Sequence, residues 1–550
     1  MSEPTVRPAA ASVGLFRDDL RPALLLAAGC LASWIPSLPG RDLWAPNEPK
    51  FAEVAVEMVD RADYLVPHVN GEVYPDKPPL FFWMEVGSAR LCGGFSEFAL
   101  RLPSALAATA LVLVTYRIGL FLFGRREAFF SAAILGTTRL LFEQATRAVM
   151  DPLFSLCVAA GMLAYARARG RGGWLAGAHF GLWWGLAILS KGYGLLLPAL
   201  PAAVEYLVRT RGRPRSERLR GARPSFVALL VAAAIALAWF LPASLRQKEG
   251  LTLGDSLGKQ VLGRVIAPWN HEQPPWYFLG TFPLDLLPWT PFLLLAIPSL
   301  RRAEGRDRDG IRFALAWLLP TFLFFSCVPS KRGIYLMPAL PAAALLLGRT
   351  IGRLCEGKEP ARPWASALEG FGRALAILGA LLLLALPVGL RRLPEVGAPL
   401  LAFPGASLLA LGALSLASYR RGGFPLAFAL LPAGAAVAGA VLLGLLFPSL
   451  DPIKSPAPLA RTLAALHRGE EVVFREVPPE GYRFYSRIPL RDAGGDPEFL
   501  KALGADPPAI GVTTEKAYGR LRGRLPSTIV RLAEDAVGHR DVVVLGRRRP

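Results

Sequence analysis

Thirteen apolar windows recur along the chain, near residues 20–39, 99–123, 127–142, 150–167, 173–190, 191–208, 224–244, 276–299, 312–328, 333–350, 371–390, 400–419 and 424–447. Most are long enough to cross a bilayer as a helix. Hydrocarbon offers backbone amides no water, so such segments must close their hydrogen bonds internally, and their length selects helices over strands. The expectation is a polytopic α-helical membrane protein with about 13 transmembrane helices. The third window is the shortest, and the break between the fifth and sixth rests on Lys191 and Gly192.

The formal charge of +20 would suggest nucleic acid in a soluble protein, but here arginine gathers in short loops between apolar windows. Basic loops stay in the cytoplasm. With the N-terminus inside, Arg125 and Arg126, Arg167 to Arg171, residues 209–223, 301–312 and 349–362, and Arg420 with Arg421 all fall on that side. The apolar run 22–39 lacks an A-x-A cleavage site and reads as a retained anchor. An odd number of spans leaves the C-terminus outside. The five cysteines show no metal-knuckle spacing, and the last hundred residues contain none with which to build a disulfide.

From about residue 450 the character changes. EEVVFREV, YRFYSRIPL, PAIGVTT and DVVVLGR read as strands, and DPEFLKALGA and EKAYGRLRGRL as helices, which predicts a small α/β domain outside the membrane. The division is therefore 1–449 for the membrane domain, with a first outer loop at 40–98, and 450–550 for the outer domain.

That first loop is where acids, lysines and aromatics crowd together. Phe51, Val54, Ala55, Met58 and Val59 recur at helical spacing, with Glu48, Glu53, Glu57 and Asp60 over the remaining surface, so a helix lying on the membrane face is expected. Pro49 marks its first turn, Asn47 is the candidate cap, and Glu48 stands where the helix dipole favours an anion. On local pattern, capping and catalysis explain Asn47 and Glu48 equally well. Tyr74, Asp76 and Lys77 precede Pro78, Pro79 and a second interfacial helix; that pair could hold a phosphate or a metal ion, or be a solvated ion pair. His179, inside a window, reads as a core residue.

Under this topology further ionisable groups face the same outer side: Glu143, Arg147 and Asp151, then Lys191, His271 with Glu272, and Lys331 with Arg332. Ionisable residues near spans mark functional sites or anchor topology. His271 alone among the histidines combines an outer loop with flanking aromatics. Carboxylates, cations and a histidine at a bilayer surface suit group transfer from a lipid phosphate, because the leaving phosphate needs cationic stabilisation and the acceptor a base. No glycine loop for a soluble nucleotide donor is evident.

In this order, NEPKFAEVAVEMVDRADYLVPHVNGEVYPDKPPL, RAVMDPLFSLCVAAG, LSKGYGLLLPA, HEQPPWYFLGTFPLDLLPWTPFLL and SKRGIYLMPALPAAALLL resemble the aminoarabinose lipid A transferases and their protein O-mannosyltransferase relatives, over roughly residues 40–350. These are GT-C glycosyltransferases that use polyprenyl-phosphate sugars. The resemblance implies that the NEPKF segment is the catalytic loop and that Asp76 and His271 hold a divalent metal ion (zinc, magnesium or manganese). It also implies that Lys77 faces the donor phosphate, that Asp151 is the acid of the second outer loop, and that Lys191 and Lys331 line the cavity. Lys50 and Arg147 complete the expected phosphate-binding set, with Glu48, Asp151 and Asn47 as the catalytic candidates.

The family's usual D-E-P-R-Y is here Asn47, Glu48, Pro49, Lys50 and Phe51, and its E-K-P is Asp76, Lys77 and Pro78. Asn47 takes up no proton, and Lys50 loses bidentate phosphate geometry. The expected function is an inverting inner-membrane transfer of a sugar, such as 4-amino-4-deoxy-L-arabinose, from a polyprenyl phosphate to a periplasm-facing lipid or glycan acceptor such as lipid A. Either Glu48 or Asp151 serves as base, or the acceptor is already ionised. The alternative is a catalytically degenerate lipid-sugar binding or transport protein, though no inverted repeat points to transport.

Overall fold

The computed structural model describes residues 13–171, 173–246, 272–392, 397–538 and 540–547. Its membrane part is a bundle of helices. Among the described residues seven are long and apolar enough to cross a membrane, or eight if Tyr277–Asp285 and Thr290–Arg301, bent by 102°, count as one span. All thirteen windows carry helix, but several as short or broken pieces, which is why the count by length falls below thirteen. The opening helix α1 (Val13–Trp34) is followed by the first loop with α2 (Glu48–Asp60), a hairpin of β1 (His68–Val69) and β2 (Glu72–Val73), and α3 (Leu80–Leu91). Then come α4 (Glu97–Leu122), α5 (Arg125–Gly136), α6 (Arg139–Ala145), α7 (Asp151–Arg171), α8 (Trp174–Ser190), α9 (Ala199–Thr210) and α10 (Arg215–Arg246).

The breaks have local causes. The third window splits into α5 and α6 at Thr137 and Thr138, whose hydroxyls bond back to Ala133 and Leu135 carbonyls. The fifth and sixth separate at Lys191, as expected, through a 3-10 turn over Gly192–Leu195. There a Cβ on Gly194 would lie 2.1 Å from the Ala187 carbonyl oxygen, so only glycine fits. The 102° bend occurs where Pro288 supplies no N–H and Pro291 opens the next helix. The last two windows form one helical stretch, Ala398–Val441, kinked at Gly423. His179 is exposed on α8, correcting its assignment to the core, and accepts a hydrogen bond from Trp183.

Beyond residue 450 a five-stranded sheet runs in the order β4-β3-β5-β7-β6. Its strands are β3 (Val472–Arg475), β4 (Arg491–Asp492), β5 (Ile510–Thr514), β6 (Ile529–Val537) and β7 (Arg540–Arg547). β3 pairs in parallel with β4 and β5, whereas β7 pairs antiparallel with β5 and β6. Apolar clusters cover both faces, one around Phe474 and Tyr482 and the other around Phe499 and Leu503.

One expectation fails here and one strand was not foreseen. YRFYSRIPL is not a strand: Glu480–Ser486 is a helix that starts after Pro479 and ends at Arg487 in the left-handed region. Its aromatics serve two surfaces, Tyr482 packing on Phe474 and Phe484 joining a separate cluster with α2, a division that mimics alternation in the sequence. The longest strand, β6, was not foreseen: its sequence IVRLAEDAV is interrupted by Arg531, Glu534 and Asp535 and lacks strict alternation.

Candidate functional site

The first loop is built around a buried carboxylate. Glu48 opens α2, and Pro49 in the first turn has no N–H to leave unsatisfied. Arg41 reaches one Glu48 oxygen at 2.7 Å and Arg101 the other at 2.8 Å. The backbone N–H groups of Trp44 and Ala148 donate to the same carboxylate at 3.2 and 3.0 Å. Burial alone would raise the Glu48 pKa, but the two guanidinium groups outweigh it and hold the group far below the usual carboxylate range. Arg101 also donates to the Leu38, Arg41 and Asp42 carbonyls, which makes it a hub for the loop entrance.

Asn47 occupies the capping position but does not cap. Its backbone is already helical and its side chain makes no cap hydrogen bond; the Asn47 carbonyl instead accepts from Phe51 N at 2.9 Å. Glu48, folded back onto the Trp44 amide, takes the role expected of Asn47 in organising the helix start.

Asp60 is exposed as expected, but the other acids of α2 are not on an open surface, contrary to the expectation for a membrane-face helix. Glu53 and Glu57 are each 1% exposed, because Glu480–Ser486 lies across them. Arg483 from that helix stands 2.9 Å from Glu53 and donates to Glu57 at 2.7 Å. Burial, countered by Arg483 and reinforced by Glu57, pushes Glu53 up to about 8. Glu85 on α3 is buried completely and neither carboxyl oxygen has a hydrogen-bond partner among the described residues. Burial, helped by the charge of Glu48, raises its pKa well above the usual range.

The expected phosphate-binding cations fall into two groups. Lys50 projects from α2 over the Tyr74 ring at 4.8 Å, with Glu480 3.9 Å away, and Tyr74 leads into Asp76 and Lys77. Lys77 folds its ammonium onto the Asp76 carbonyl at 3.1 Å. In the second group Lys191 and Asp151 form a buried ion pair of 2.6 Å between the C-terminus of α8 and the first turn of α7. The Lys191 ammonium also sits 5.1 Å from the Tyr335 ring. Tyr335 carried no signal of its own in the sequence.

Arg147 is tied to Glu143 at 2.9 Å, and Glu143 is shared with Arg139 at 2.9 Å, while Arg139 also pairs with Asp285. Arg139, Glu143, Asp285, Gln273, Lys331 and Arg332 line a cavity of about 420 Å³. Lys331 donates to the Gln273 carbonyl at 2.8 Å from its wall. The 146–148 segment connects the Glu48 shell to this second group, since Arg41 donates to the Thr146 carbonyl and Ala148 to Glu48. Arg41, Arg101 and Arg483 were missed as site residues because a lone arginine in a sequence carries no sign of the carboxylate it will meet.

His271 lies outside the described residues, so of the pair expected to hold a metal only Asp76 is located. Among the described residues no group of three or more His, Cys, Asp and Glu side chains could hold a metal ion.

With this geometry in hand, relatives can be compared. Residues 76–244 match the family model described as dolichyl-phosphate-mannose-protein mannosyltransferase. An undecaprenyl phosphate-alpha-4-amino-4-deoxy-L-arabinose arabinosyl transferase of Edwardsiella ictaluri (strain 93-146) is 30% identical over 411 residues, covering 70% of this chain and 71% of the relative. The chain belongs to this arabinosyl transferase family. A second member, from Aeromonas salmonicida (strain A449), is 31% identical over 370 residues, 64% of each chain, so the match spans less than two thirds of that relative's length. The arabinosyl transferase fold extends further than the sequence match. The crystal structure of ArnT from Cupriavidus metallidurans bound to undecaprenyl phosphate superposes with a TM-score of 0.77 over 97% of this chain and 98% of that one, at 24% identity. A multi-pass membrane protein of GT-C architecture with a small C-terminal α/β region, expected from the sequence, is thus observed.

Proposed function

We propose that this protein is an inverting glycosyltransferase that moves 4-amino-4-deoxy-L-arabinose, or a closely related sugar, from a polyprenyl-phosphate donor to a phosphate-bearing lipid acceptor such as lipid A. Membership of the arabinosyl transferase family carries this reading. In the reaction the bond between the anomeric carbon and the donor phosphate oxygen breaks, a bond from that carbon to the acceptor oxygen forms, and polyprenyl phosphate leaves. The N-terminus is cytoplasmic and the C-terminal domain, residues 450–550, periplasmic, with 1–449 forming the inner-membrane transferase domain.

Lys50, Lys77, Arg147, Lys191 and Lys331 supply the positive charge that receives the donor phosphate and stabilises it as it departs. Asp151, held by Lys191, is the acid best placed to orient the acceptor. Glu48 organises the loop and does not take a proton, because two arginines already neutralise it. The acceptor accordingly arrives ionised, which fits Asn47 standing where the family resemblance implies an acid. Asp76 with His271 is the pair to test for a bound divalent metal, by elemental analysis of the purified chain and of its Asp76→Ala variant.

Purified full-length protein should convert a polyprenyl-phosphate aminoarabinose and lipid A into modified lipid A, read by mass spectrometry. Absence of both binding and turnover with every polyprenyl-phosphate sugar sinks the proposal. Donor binding without turnover would support the rival reading, a degenerate lipid-sugar binding protein, which Asn47 alone favours.

A further inference from the structure

The C-terminal domain reaches into the first loop at more points than a tethered appendage would. Its helix Glu480–Ser486 packs Phe484 into one cluster with Leu43, Ala52, Val56, Leu100 and Ala148. Tyr485 accepts from Leu43 N at 2.7 Å and donates to Glu97 at 3.0 Å. At Gly481 an added Cβ would meet Pro456 of the same domain at 2.5 Å, leaving no room for a side chain, and would come into ordinary contact with Pro49 in the first turn of α2 at 3.5 Å.

The central contact is ionic. Two carboxylates one turn apart on α2, Glu53 and Glu57, are both buried, and Arg483 spans them. Glu57 has a second duty: its two oxygens accept from Gly71 N at 3.0 and 3.2 Å, in the turn between β1 and β2. That turn leads directly into Tyr74, Asp76 and Lys77. A line of direct bonds therefore runs from Arg483 through Glu57 to the hairpin, and the same guanidinium grips the face of α2 that carries Lys50, three and seven positions before Glu53 and Glu57. Glu480 completes the arrangement 3.9 Å from the Lys50 ammonium.

We infer that Arg483 is a positioning residue for the donor-facing site: by pairing with Glu53 and Glu57 it sets the relative placement of α2, which carries Lys50, and of the hairpin that delivers Tyr74, Asp76 and Lys77. The inference rests on the reading that these lysines face the donor phosphate. Removing one partner of a buried ion pair leaves uncompensated charge, here on Glu57, and takes from Glu53 its Arg483 contact. Both walls then loosen while the sheet of the domain, whose core clusters do not include Arg483, keeps its packing.

The test uses the full chain in lipid nanodiscs and compares wild type, Arg483→Ala, Arg483→Lys and Glu57→Gln. In Arg483→Ala, amide hydrogen exchange over residues 48–60 and 68–79 should accelerate about tenfold or more, with β3, β5 and β7 unchanged. The KM for the polyprenyl-phosphate donor should rise about tenfold with kcat changed much less, and Arg483→Lys should recover most of both. Wild-type exchange across α2 and the hairpin in Arg483→Ala would overturn the inference, as would loosening without a change in donor KM. Should the domain's strands also loosen in Arg483→Ala, Glu57→Gln decides, since it breaks the relay without touching the domain: hairpin protection must fall, or the inference is wrong. If wild type transfers no sugar at all, the proposed function fails, and exchange still decides what Arg483 does.

Discussion

Arg101 and Glu48 are 53 positions apart in sequence and 2.8 Å apart in space, both buried, and their ion pair is the centre from which the first loop is built. It follows that Glu48 acts through the architecture of the loop. Replacing Arg101 by alanine strands part of the Glu48 charge and three backbone carbonyls, at a cost of about 3–5 kcal/mol. Thermal unfolding of the purified protein in detergent should show a large drop in Tm, and an unchanged Tm would contradict this account.

Glu53 gives the stability a pH dependence of defined sign. In the folded chain it holds its proton up to about 8, while in the unfolded chain it ionises in the ordinary glutamate range. Between those values the folded state binds more protons, so stability falls as pH rises, by at most about 1.4 kcal/mol per unit, and levels off above the folded value. Glu53→Gln should flatten that slope in a series of melting curves between pH 5 and 8.

Glu85 is buried without a hydrogen-bond partner among the described residues, a setting that favours the neutral carboxyl, so an uncharged isostere should be accepted. Glu85→Gln is expected to keep Tm and transfer activity close to wild type, whereas Glu85→Ala opens a cavity in a packed region and costs about 1–3 kcal/mol. A Gln variant as damaged as the Ala variant would mean that the carboxyl is used in ionised form.

Asp151 and Lys191 should behave as a unit. Asp151→Asn and Lys191→Met should each reduce transfer strongly, and the double variant should lose much less than the sum of the two, with a coupling of about 0.5–3 kcal/mol in the cycle. Additive losses would place the two side chains in separate roles.

Asn47→Asp introduces the acid that the family resemblance implies at this position. With an acceptor that is already ionised, kcat should change less than about threefold, and the pH–rate profile should follow the acceptor phosphate, whose second ionisation lies near 6. A gain of an order of magnitude or more would show that this chain lacks a base it could use.

What could be read without coordinates was whatever depends on neighbours in sequence. Apolar windows, short arginine-rich loops, Pro49 at a helix start and the break at Lys191 are local signals, and each corresponds to a feature of the structure. The candidate residues Asp151 and Lys191 were also visible, though not the fact that they pair. What stayed hidden depends on distant partners. Glu53 and Glu57 look like the solvated face of an amphipathic helix until Arg483, 426 positions beyond Glu57, is brought against them. The helix Glu480–Ser486 looks like a strand because its aromatics alternate between two surfaces that only the folded chain creates.

The bond from Asp42 N to Asp451, 409 positions later, has a consequence for how the chain is made. Trp44 likewise donates to Asp451 at 2.7 Å and stacks on Phe447 at 5.5 Å. The first loop leaves the ribosome well before these partners, which are synthesised about 400 residues later. At about 5–20 residues per second the gap is on the order of tens of seconds. During that interval the loop lacks the contacts that Asp451 and Phe447 supply.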